Sequence, residues 1–426
     1  MNRFAHIFFL FIVCLSLKGQ ESVRPEETSS MAIRMDYSIT GNKFHARIED
    51  VSFVYEAGIG ELLKKNGDCP EYGKYKVEVH DAATGRILYS HSFSDLFQEW
   101  QLTEEANSME NSFRNSLRFP SCADSFTVKL FRRDTNLVFN EFYSQTLEKS
   151  SVKYEPEYSF NRIDRVVHDK GNFQHKLELV FVSEGYTEPQ KTKFFSDANR
   201  FKEVLFDWEP YRSNQEGIRI RAVFIESPQE GVDVPSESVW CRTNFNSTFG
   251  TFSIDRYLSV PDISMVYKAL HGIYFDRVCI LVNSMRYGGG GIYNFYNIFT
   301  VDNDKSAFVF IHELGHSFAG LADEYYSSEV SYSEFMRLDI EPVEPNVTTL
   351  VNFDAKWKNL VADTIPVPTP LIEEYYDAIG AFEGAVYQAK GIYRPSLDCA
   401  MKSSECDHFC MVCRQIIEQK LKCFSK

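Results

Sequence analysis

After its first twenty residues, the sequence contains no apolar run that approaches the ~20 residues of a membrane-spanning helix. The opening stretch, MNRFAHIFFLFIVCLSLKGQ, is apolar only from Ile7 to Leu17, which is too short to cross a bilayer. With Arg3 before this run and Gly19 after it, the stretch is typical of a cleaved export signal. We therefore predict a signal peptide at residues 1–20 and an exported chain (secreted, periplasmic or cell-surface) without a membrane span.

Basic charge is also scarce. The chain has 45 Lys and Arg against 60 Asp and Glu, a net charge of −15. Removing Arg3 and Lys18 with the signal peptide leaves a net charge of about −17. Such an acidic chain is not expected to bind nucleic acid or an anionic membrane surface.

Cysteine is sparse too, with ten in 426 residues. Lipidation of Cys14 is an alternative to simple export, but Val13 is larger than the small residue that lipoprotein signals carry. Without Cys14 the count is odd, so at least one cysteine of an exported chain has no disulfide partner in the chain. A C-terminal cluster comprises Cys399, Cys406, Cys410 and Cys413. Its spacing differs from paired CxxC knuckles, so we expect disulfides or packed thiols there, with a structural zinc as the alternative.

The chain divides into two parts by pattern. Residues 21–30, ESVRPEETSS, are polar and read as a linker. Residues 31–150 contain strands joined by hairpin turns, as in YKVEVHDAATGRILYSHSF, and predict an antiparallel β-sandwich domain. Residues 151–426 add an amphipathic helix and the strands LELVFVSEGYT, IRIRAVFI and DRVCILVNS, which predict an α+β domain. Within it, RYGGGGIYNFYNIFT predicts a glycine-rich loop leading into an edge strand.

The stretch DKSAFVFIHELGHSFA predicts a helix with Asp304 as its N-cap and Gly320 as its stop. On one helix, His312 and His316 lie one turn apart with their Cβ atoms ~5–6 Å apart. Both imidazoles can then reach one Zn²⁺ at ~2.0–2.1 Å. Glu313 can take a proton from a zinc-activated water that attacks a carbonyl. The surrounding residues are apolar, and two buried imidazoles one turn apart need a common partner.

A catalytic zinc usually takes a third protein ligand. Asp323 lies seven residues after His316, and a continuing helix would carry it ~10 Å along the axis. Gly320 can adopt the left-handed conformation that ends a helix and turns the chain back. Asp323 is therefore the first choice as third ligand and Glu324 the second. A thermolysin-like arrangement would instead use Glu373, in the string EEYYD.

This pattern resembles the metzincin group of zinc endopeptidases, in which a HExxH helix, a glycine turn and a third ligand precede a methionine turn. The longer string HELGHSFAGLADEY is similar to the M64 family, the immunoglobulin-A-peptidase-like metallopeptidases. The strings EPNVTT, KWKNL, FEGAVYQAKGIYRPSLDCAMKS and FCMVC resemble the same family, and RMDYSITGN, FQEW and RFP resemble its N-terminal β-domain. The chain departs from the common metzincin pattern, because one extra residue precedes Gly320 and Asp replaces the third His.

The resemblance implies a metzincin-like zinc peptidase domain behind the β-sandwich and one catalytic Zn²⁺. The metal ligands would be His312, His316 and Asp323, with Glu313 as general base. The substrate would be a protein or peptide. The alternative is a non-catalytic exported binding or adhesion protein whose zinc is structural.

The resemblance also assigns roles around the metal. Met401 would form the apolar floor beneath the histidines. The strand near Tyr293 to Thr300 would form the upper rim of the cleft and offer its backbone to an extended peptide. Ser403 stands where many metzincins carry a tyrosine, so that role is either vacant or filled by another residue, with Tyr325 as the candidate.

Overall fold

The computed structural model of the protein describes residues 32–56, 69–121, 123–154, 160–173, 175–326 and 336–424. The predicted signal peptide, including Cys14, and the predicted linker lie outside these ranges. Within them, no helix combines the length and the apolarity that a membrane crossing requires. The described chain is mixed α+β, with an N-terminal β domain followed by a domain of both helices and strands.

The N-terminal domain consists of eight strands and one short helix in the described residues. In chain order they are β1 (Ala32–Gly41), β2 (Ala46–Glu56), β3 (Tyr75–Asp81), β4 (Ile87–Phe93), α1 (Leu96–Trp100), β5 (Asn111–Pro120), β6 (Ser125–Arg133), β7 (Phe139–Glu148) and β8 (Lys153–Tyr154). They form two four-stranded sheets, ordered β5-β1-β2-β8 and β4-β3-β6-β7.

The predicted hairpins are present: β1 pairs with β2, β3 with β4 and β6 with β7, all antiparallel. The exception to this direction is the short parallel pair of β2 and β8. Both sheets contribute apolar side chains to one hydrophobic cluster, as alternating residues of half-buried strands do. Face-to-face sandwich packing of the two sheets stays a prediction.

The second domain contains the remaining elements. They are β9 (Arg162–Asp169), β10 (Leu177–Glu184), α2 (Lys191–Asp207), β11 (Ile218–Ile225), α3 (Ile263–Ala269), β12 (Arg277–Val282), β13 (Gly289–Ile292), β14 (Tyr296–Thr300), α4 (Ser306–Ala319), β15 (Phe382–Ala385), β16 (Gln388–Arg394) and α5 (Met411–Lys422). Six strands form one sheet in the order β13-β14-β12-β10-β11-β9, and β15 and β16 form a separate hairpin.

The central strands of the six-stranded sheet run parallel, and the two edge strands, β13 and β9, run antiparallel to their neighbours. Because side chains alternate along a strand, β10 buries Leu179 and Phe181 on one face and Val180 and Val182 on the other. Apolar residues of α2, α4 and α5 cover the first face, and residues of α3 cover the second. A continuous apolar strand is expected when both faces are covered.

Several contacts hold the two domains together. A disulfide joins Cys69 to Cys423, just after α5. The backbone N–H of Ser94 donates to the carbonyl oxygen of Tyr293 at 2.9 Å. The guanidinium of Arg118 on β5 donates to the carbonyl oxygen of Ile273 at 3.2 Å. These contacts join the N-terminal domain to three separate parts of the second domain: the loop after α3, the turn between β13 and β14, and the end of α5.

Candidate metal centre

Helix α4 carries the two histidines of the HELGH string. It begins at Ser306, six residues before His312, and its N-cap residue is Lys305. The predicted capping role of Asp304 is therefore wrong. The side chain of Asn303 instead accepts from the N–H of Lys305 at 3.0 Å, and Ser306 Oγ accepts from the N–H of Asn303 at 3.1 Å. Together with the bond from the N–H of Ser306 to the carbonyl oxygen of Asn303 at 3.0 Å, these short-range bonds fix the turn that leads into the helix, and no side chain caps it.

The helix ends as predicted, at Gly320. This residue is left-handed, with φ 69° and ψ 27°, and its N–H donates to the carbonyl oxygen of His316 at 3.0 Å. The N–H of Leu321 reaches back to the carbonyl oxygen of Gly315 at 3.1 Å. The chain therefore leaves the helix axis at once, and Asp323 returns to the histidines.

The three predicted ligands come together. His312 Nε2 and His316 Nε2 are 3.2 Å apart, and they lie 3.2 and 3.3 Å from Asp323 Oδ1. Three donors ~2.0–2.1 Å from one tetrahedral Zn²⁺ would be ~3.3 Å apart. Asp323 Oδ1 is buried and has no hydrogen-bond partner in the described residues. The spacing and the orphaned oxygen both fit a metal ion between the three side chains.

Backbone carbonyls determine which nitrogen of each imidazole faces this site. His312 Nδ1 donates to the carbonyl oxygen of Ala400 at 2.9 Å, and His316 Nδ1 donates to that of Leu321 at 2.6 Å. In the neutral imidazoles each Nε2 then presents a lone pair, so two acceptors and a carboxylate oxygen face one another. Such an arrangement is repulsive unless a cation lies among them.

The charge balance of the site leads to the same conclusion. Burial lowers the pKa of both imidazoles, but the Asp323 carboxylate outweighs burial, raising the pKa of His316 to about 9 and that of His312 above its ordinary value. Burial also opposes ionisation of Asp323, yet the imidazoles hold the pKa of its carboxyl well below the usual range. The site favours a bound positive charge.

Two tyrosines support Asp323 from the other side. The hydroxyl of Tyr387, in the turn between β15 and β16, donates to Asp323 Oδ2. Tyr325 Oη lies 3.3 Å from Tyr387 Oη, and the Tyr325 ring stacks on His312 with centroids 6.4 Å apart. The backbone N–H of Val386 donates to the carbonyl oxygen of Asp323 at 3.0 Å. The position and orientation of the carboxylate are thus fixed by the β15–β16 hairpin.

Glu313 lines the same cleft, which encloses about 550 Å³. Burial raises the pKa of its carboxyl above the ordinary value, while the two imidazoles lower it. Its side chain has no hydrogen-bond partner in the described residues. A carboxylate in this position is free to bond a water or a substrate group inside the cleft.

The glycine-rich stretch is a strand and not the predicted loop. Gly289 to Ile292 form β13, the edge strand, and the aromatic stretch that was expected at the edge is the interior strand β14. A Cβ on Gly291 would collide with the carbonyl oxygen of Glu313, and one on Gly289 would lie 2.6 Å from Val309 Cγ1. The strand therefore needs glycine in order to pack this closely on α4.

Of the remaining predicted residues, Met401 lies at the histidine helix, and Glu324 and Glu373 do not. Met401 is fully buried, and its Sδ would lie 2.6 Å from a Cβ on Gly315, which puts it against the histidine helix. Glu324 points away from the histidines, and its Oε1 lies 3.2 Å from Cys413 Sγ. Glu373 is exposed in a single 3₁₀ turn and does not line the cleft, so the structure gives no support to the thermolysin-like alternative.

Residues of the N-terminal domain also line the cleft, and no sequence pattern predicts this contribution. Tyr72 and Glu99 face it from that domain. Burial raises the pKa of Glu99 to about 7, although a hydrogen bond from Tyr257 Oη lowers it. The only sequence signal was the FQEW string, which contains Glu99 and gives no hint of its position.

Two family models match the chain. A model described as IgA Peptidase M64 matches residues 166–378 and 372–421, and one described as Peptidase M64 N-terminus matches residues 26–144. No curated protein matches the chain. The first model covers more than half of the sequence, and together the two account for nearly all the described residues. The chain therefore belongs to the M64 family of metallopeptidases.

Proposed function

We propose that the protein is an exported, zinc-dependent endopeptidase whose metal is held by His312, His316 and Asp323. The observation that carries this proposal is the set of three donor atoms 3.2–3.3 Å apart, on largely buried side chains, with both imidazoles fixed by backbone carbonyls. When bound, Zn²⁺ would lower the pKa of a water molecule to ≈7 and polarise a carbonyl oxygen. The fold of the second domain is proposed to be metzincin-like on the same grounds.

Glu313 is the proposed general base. Its carboxylate lines the cleft on the same helix as the histidines and is not engaged by another described side chain. It would accept the proton of the attacking water and deliver it to the leaving amine. The tyrosine pair would keep Asp323 oriented throughout, since Tyr387 donates to the oxygen of Asp323 that faces away from the histidines.

The substrate is proposed to bind as an extended peptide along β13. This strand is the edge of the six-stranded sheet and lines the cleft next to α4. The N–H of Leu258 already donates to the carbonyl oxygen of Gly289 at 3.1 Å, so the edge beyond Gly289 is the part proposed to take the substrate. An extended chain adds to such an edge through backbone hydrogen bonds, and side-chain pockets then select sequence.

Export is supported by two features. The opening apolar stretch has the composition of a signal peptide, and the Cys69–Cys423 disulfide is typical of an oxidising compartment. Detection of the mature chain in the culture medium or periplasm, beginning near residue 20, would test this part of the proposal. A chain retained in the cytoplasm with residue 1 intact would refute it.

The experiment on catalysis compares Glu313→Gln with Glu203→Gln, which alters an exposed carboxylate far from the cleft. Cleavage of a peptide library is measured with and without a chelator, and zinc is quantified on the same samples. We expect Glu313→Gln to retain its zinc and to lose hydrolysis, and the control variant to retain both. Unchanged turnover in Glu313→Gln would refute the mechanism. Zinc binding without cleavage by the unaltered protein would support the non-catalytic alternative.

A further inference from the structure

A second group of metal-binding side chains lies outside the peptidase site. It brings together one carboxylate and three thiols, whose donor atoms all lie within 4.8 Å of one another. The four residues are Glu324, Cys399, Cys410 and Cys413, and all are buried. Cys406, which the sequence grouped with them, lies apart, with its Sγ 3.4 Å from His408 Nδ1.

The carboxylate is the feature that ordinary packing does not explain. Glu324 is fully buried, and its Oε1 accepts from Asn346 Nδ2 at 3.0 Å and lies 3.2 Å from Cys413 Sγ. Its Oε2 is buried without a hydrogen-bond partner, and no ion pair reaches it within the described residues. Arg394 is buried nearby but directs its guanidinium to the carbonyl oxygens of residues 383 and 384. A buried carboxyl group in these surroundings calls for a cation.

The sulfur atoms are arranged as metal ligands. Cys399 Sγ accepts backbone N–H bonds from Cys410 at 3.3 Å and from Met401 at 3.5 Å, the type of contact that stabilises a thiolate. Cys410 and Cys413 have the C-x₂-C spacing of a zinc half-site. They occupy the first turn of α5, where the helix dipole favours negatively charged sulfur.

We propose that Glu324, Cys399, Cys410 and Cys413 form a second, structural metal site that binds Zn²⁺. Zinc accepts mixed thiolate and carboxylate ligands, and four protein ligands close the tetrahedron, leaving no position for substrate. A disulfide between two of the thiols is the competing arrangement. It would leave one buried thiol outside the disulfide and Oε2 of Glu324 still buried without a hydrogen-bond partner.

The position of this site indicates its purpose. Glu324 follows the metal ligand Asp323, and its backbone N–H donates to the carbonyl oxygen of Met401 at 2.8 Å. Cys399 precedes Ala400, whose carbonyl oxygen accepts from His312 Nδ1. One ion would thus tie together three segments: the turn after α4, the methionine segment and the start of α5. The site would thus keep Asp323 and the carbonyl oxygen of Ala400 in position relative to each other.

The test uses the full mature protein with His312→Ala, which removes a ligand of the peptidase site and leaves the second site intact. We expect zinc to fall from about two ions per chain to about one. X-ray absorption of the remaining zinc should show a sulfur shell at ~2.3 Å. Cobalt substitution should give thiolate-to-metal charge-transfer absorption in the near ultraviolet. No cysteine lines the cleft in the described residues, so this signal reports the second site alone.

The reciprocal variant is Cys413→Ser, which should lose the thiolate signal and one zinc while the remaining ion shows only nitrogen and oxygen ligands. Glu324→Gln is the milder variant if Cys413→Ser fails to fold, and it should weaken binding at this site by about 10-fold or more while sulfur remains in the ligand shell. Zinc in His312→Ala without sulfur scattering, or no zinc at all, would overturn the proposal. So would a disulfide among the three cysteines in unreduced peptide maps. These readouts do not involve hydrolysis, so they stand apart from the outcome for Glu313.

Discussion

Replacing Tyr387 with Phe tests whether the β15–β16 hairpin controls the metal centre. The change removes one oxygen atom, the hydroxyl that donates to Asp323 Oδ2. Tyr387 and Val386 form the two-residue turn of the hairpin, and both have positive φ, 61° and 49°. Such turns prefer Asn and Gly, so a Val-Tyr pair is strained here. Phenylalanine keeps the ring and the same backbone requirement, and the variant therefore isolates the hydroxyl.

The expected magnitude follows from the role of the hydroxyl. Removing an outer partner of a metal ligand typically weakens metal affinity 10–100-fold, or about 1.4–2.7 kcal/mol. The Asp323 side chain is only 11% exposed, so replacing the lost donor at Oδ2 with water costs free energy. We expect the zinc dissociation constant to rise by this factor in Tyr387→Phe. The value of kcat should fall as well, because the carboxylate is then less firmly oriented.

The measurement is competition for zinc against a chelator of known affinity, with kcat and KM determined at saturating zinc. Tyr376→Phe is the matched control, because Tyr376 is 53% exposed and does not line the cleft. Both variants lose one phenolic oxygen, and only one of them should lose affinity. Equal zinc affinity in the two variants would show that the Tyr387 hydroxyl does not support the metal site.

Three further predictions concern the cleft. Gly291→Ala should destabilise the protein by about 1–3 kcal/mol in urea unfolding, because the added Cβ meets the Glu313 carbonyl oxygen; an unchanged midpoint would contradict the packing of β13. Burial raises the pKa of Glu99 to about 7, so the folded protein loses stability as the pH rises from the pKa of Glu99 in the unfolded chain to 7, and it loses none at lower pH. Relative to the wild type, Glu99→Gln should therefore raise the free energy of unfolding by up to ~3 kcal/mol at pH 8 but not at pH 4. A difference between the two proteins that does not change with pH would refute this. Zinc content should fall in Asp323→Ala and remain in Glu373→Ala, and the reverse result would restore the thermolysin-like alternative.

The parts of the fold that the sequence predicts well are those governed by local periodicity. Hairpins in the first domain and the buried strands of the second follow from alternation and apolar runs, and the stop of α4 follows from a single glycine. The HELGH spacing predicts two facing imidazoles because helix geometry alone brings them together. None of these inferences requires knowledge of a distant contact.

The predictions that proved wrong depend on contacts that the local sequence pattern does not show. The glycine stretch at β13 has no strand propensity, and only the close approach of α4 explains why glycine is needed there. Asp304 has a side chain suited to a cap, but the helix begins one residue later than that role requires, after a turn fixed by Asn303 and Ser306. The cleft wall contributed by α1 depends on how two domains meet, and no pattern within either domain contains that information.

The acidic pair after Gly320 shows why a ligand cannot always be assigned from sequence. Asp323 and Glu324 are equally near the turn and equally able to bind a metal. The direction in which each side chain points is determined by the groups that pack against the two faces of this segment. Asp323 faces the imidazoles, and Glu324 faces three thiols that come from residues 75 to 89 positions later. A Glu at the first position would need to shorten its reach by a methylene, and an Asp at the second would fall short of the sulfur atoms. Two carboxylates of different length, each facing its own cluster, are what a segment between the two proposed metal sites would require.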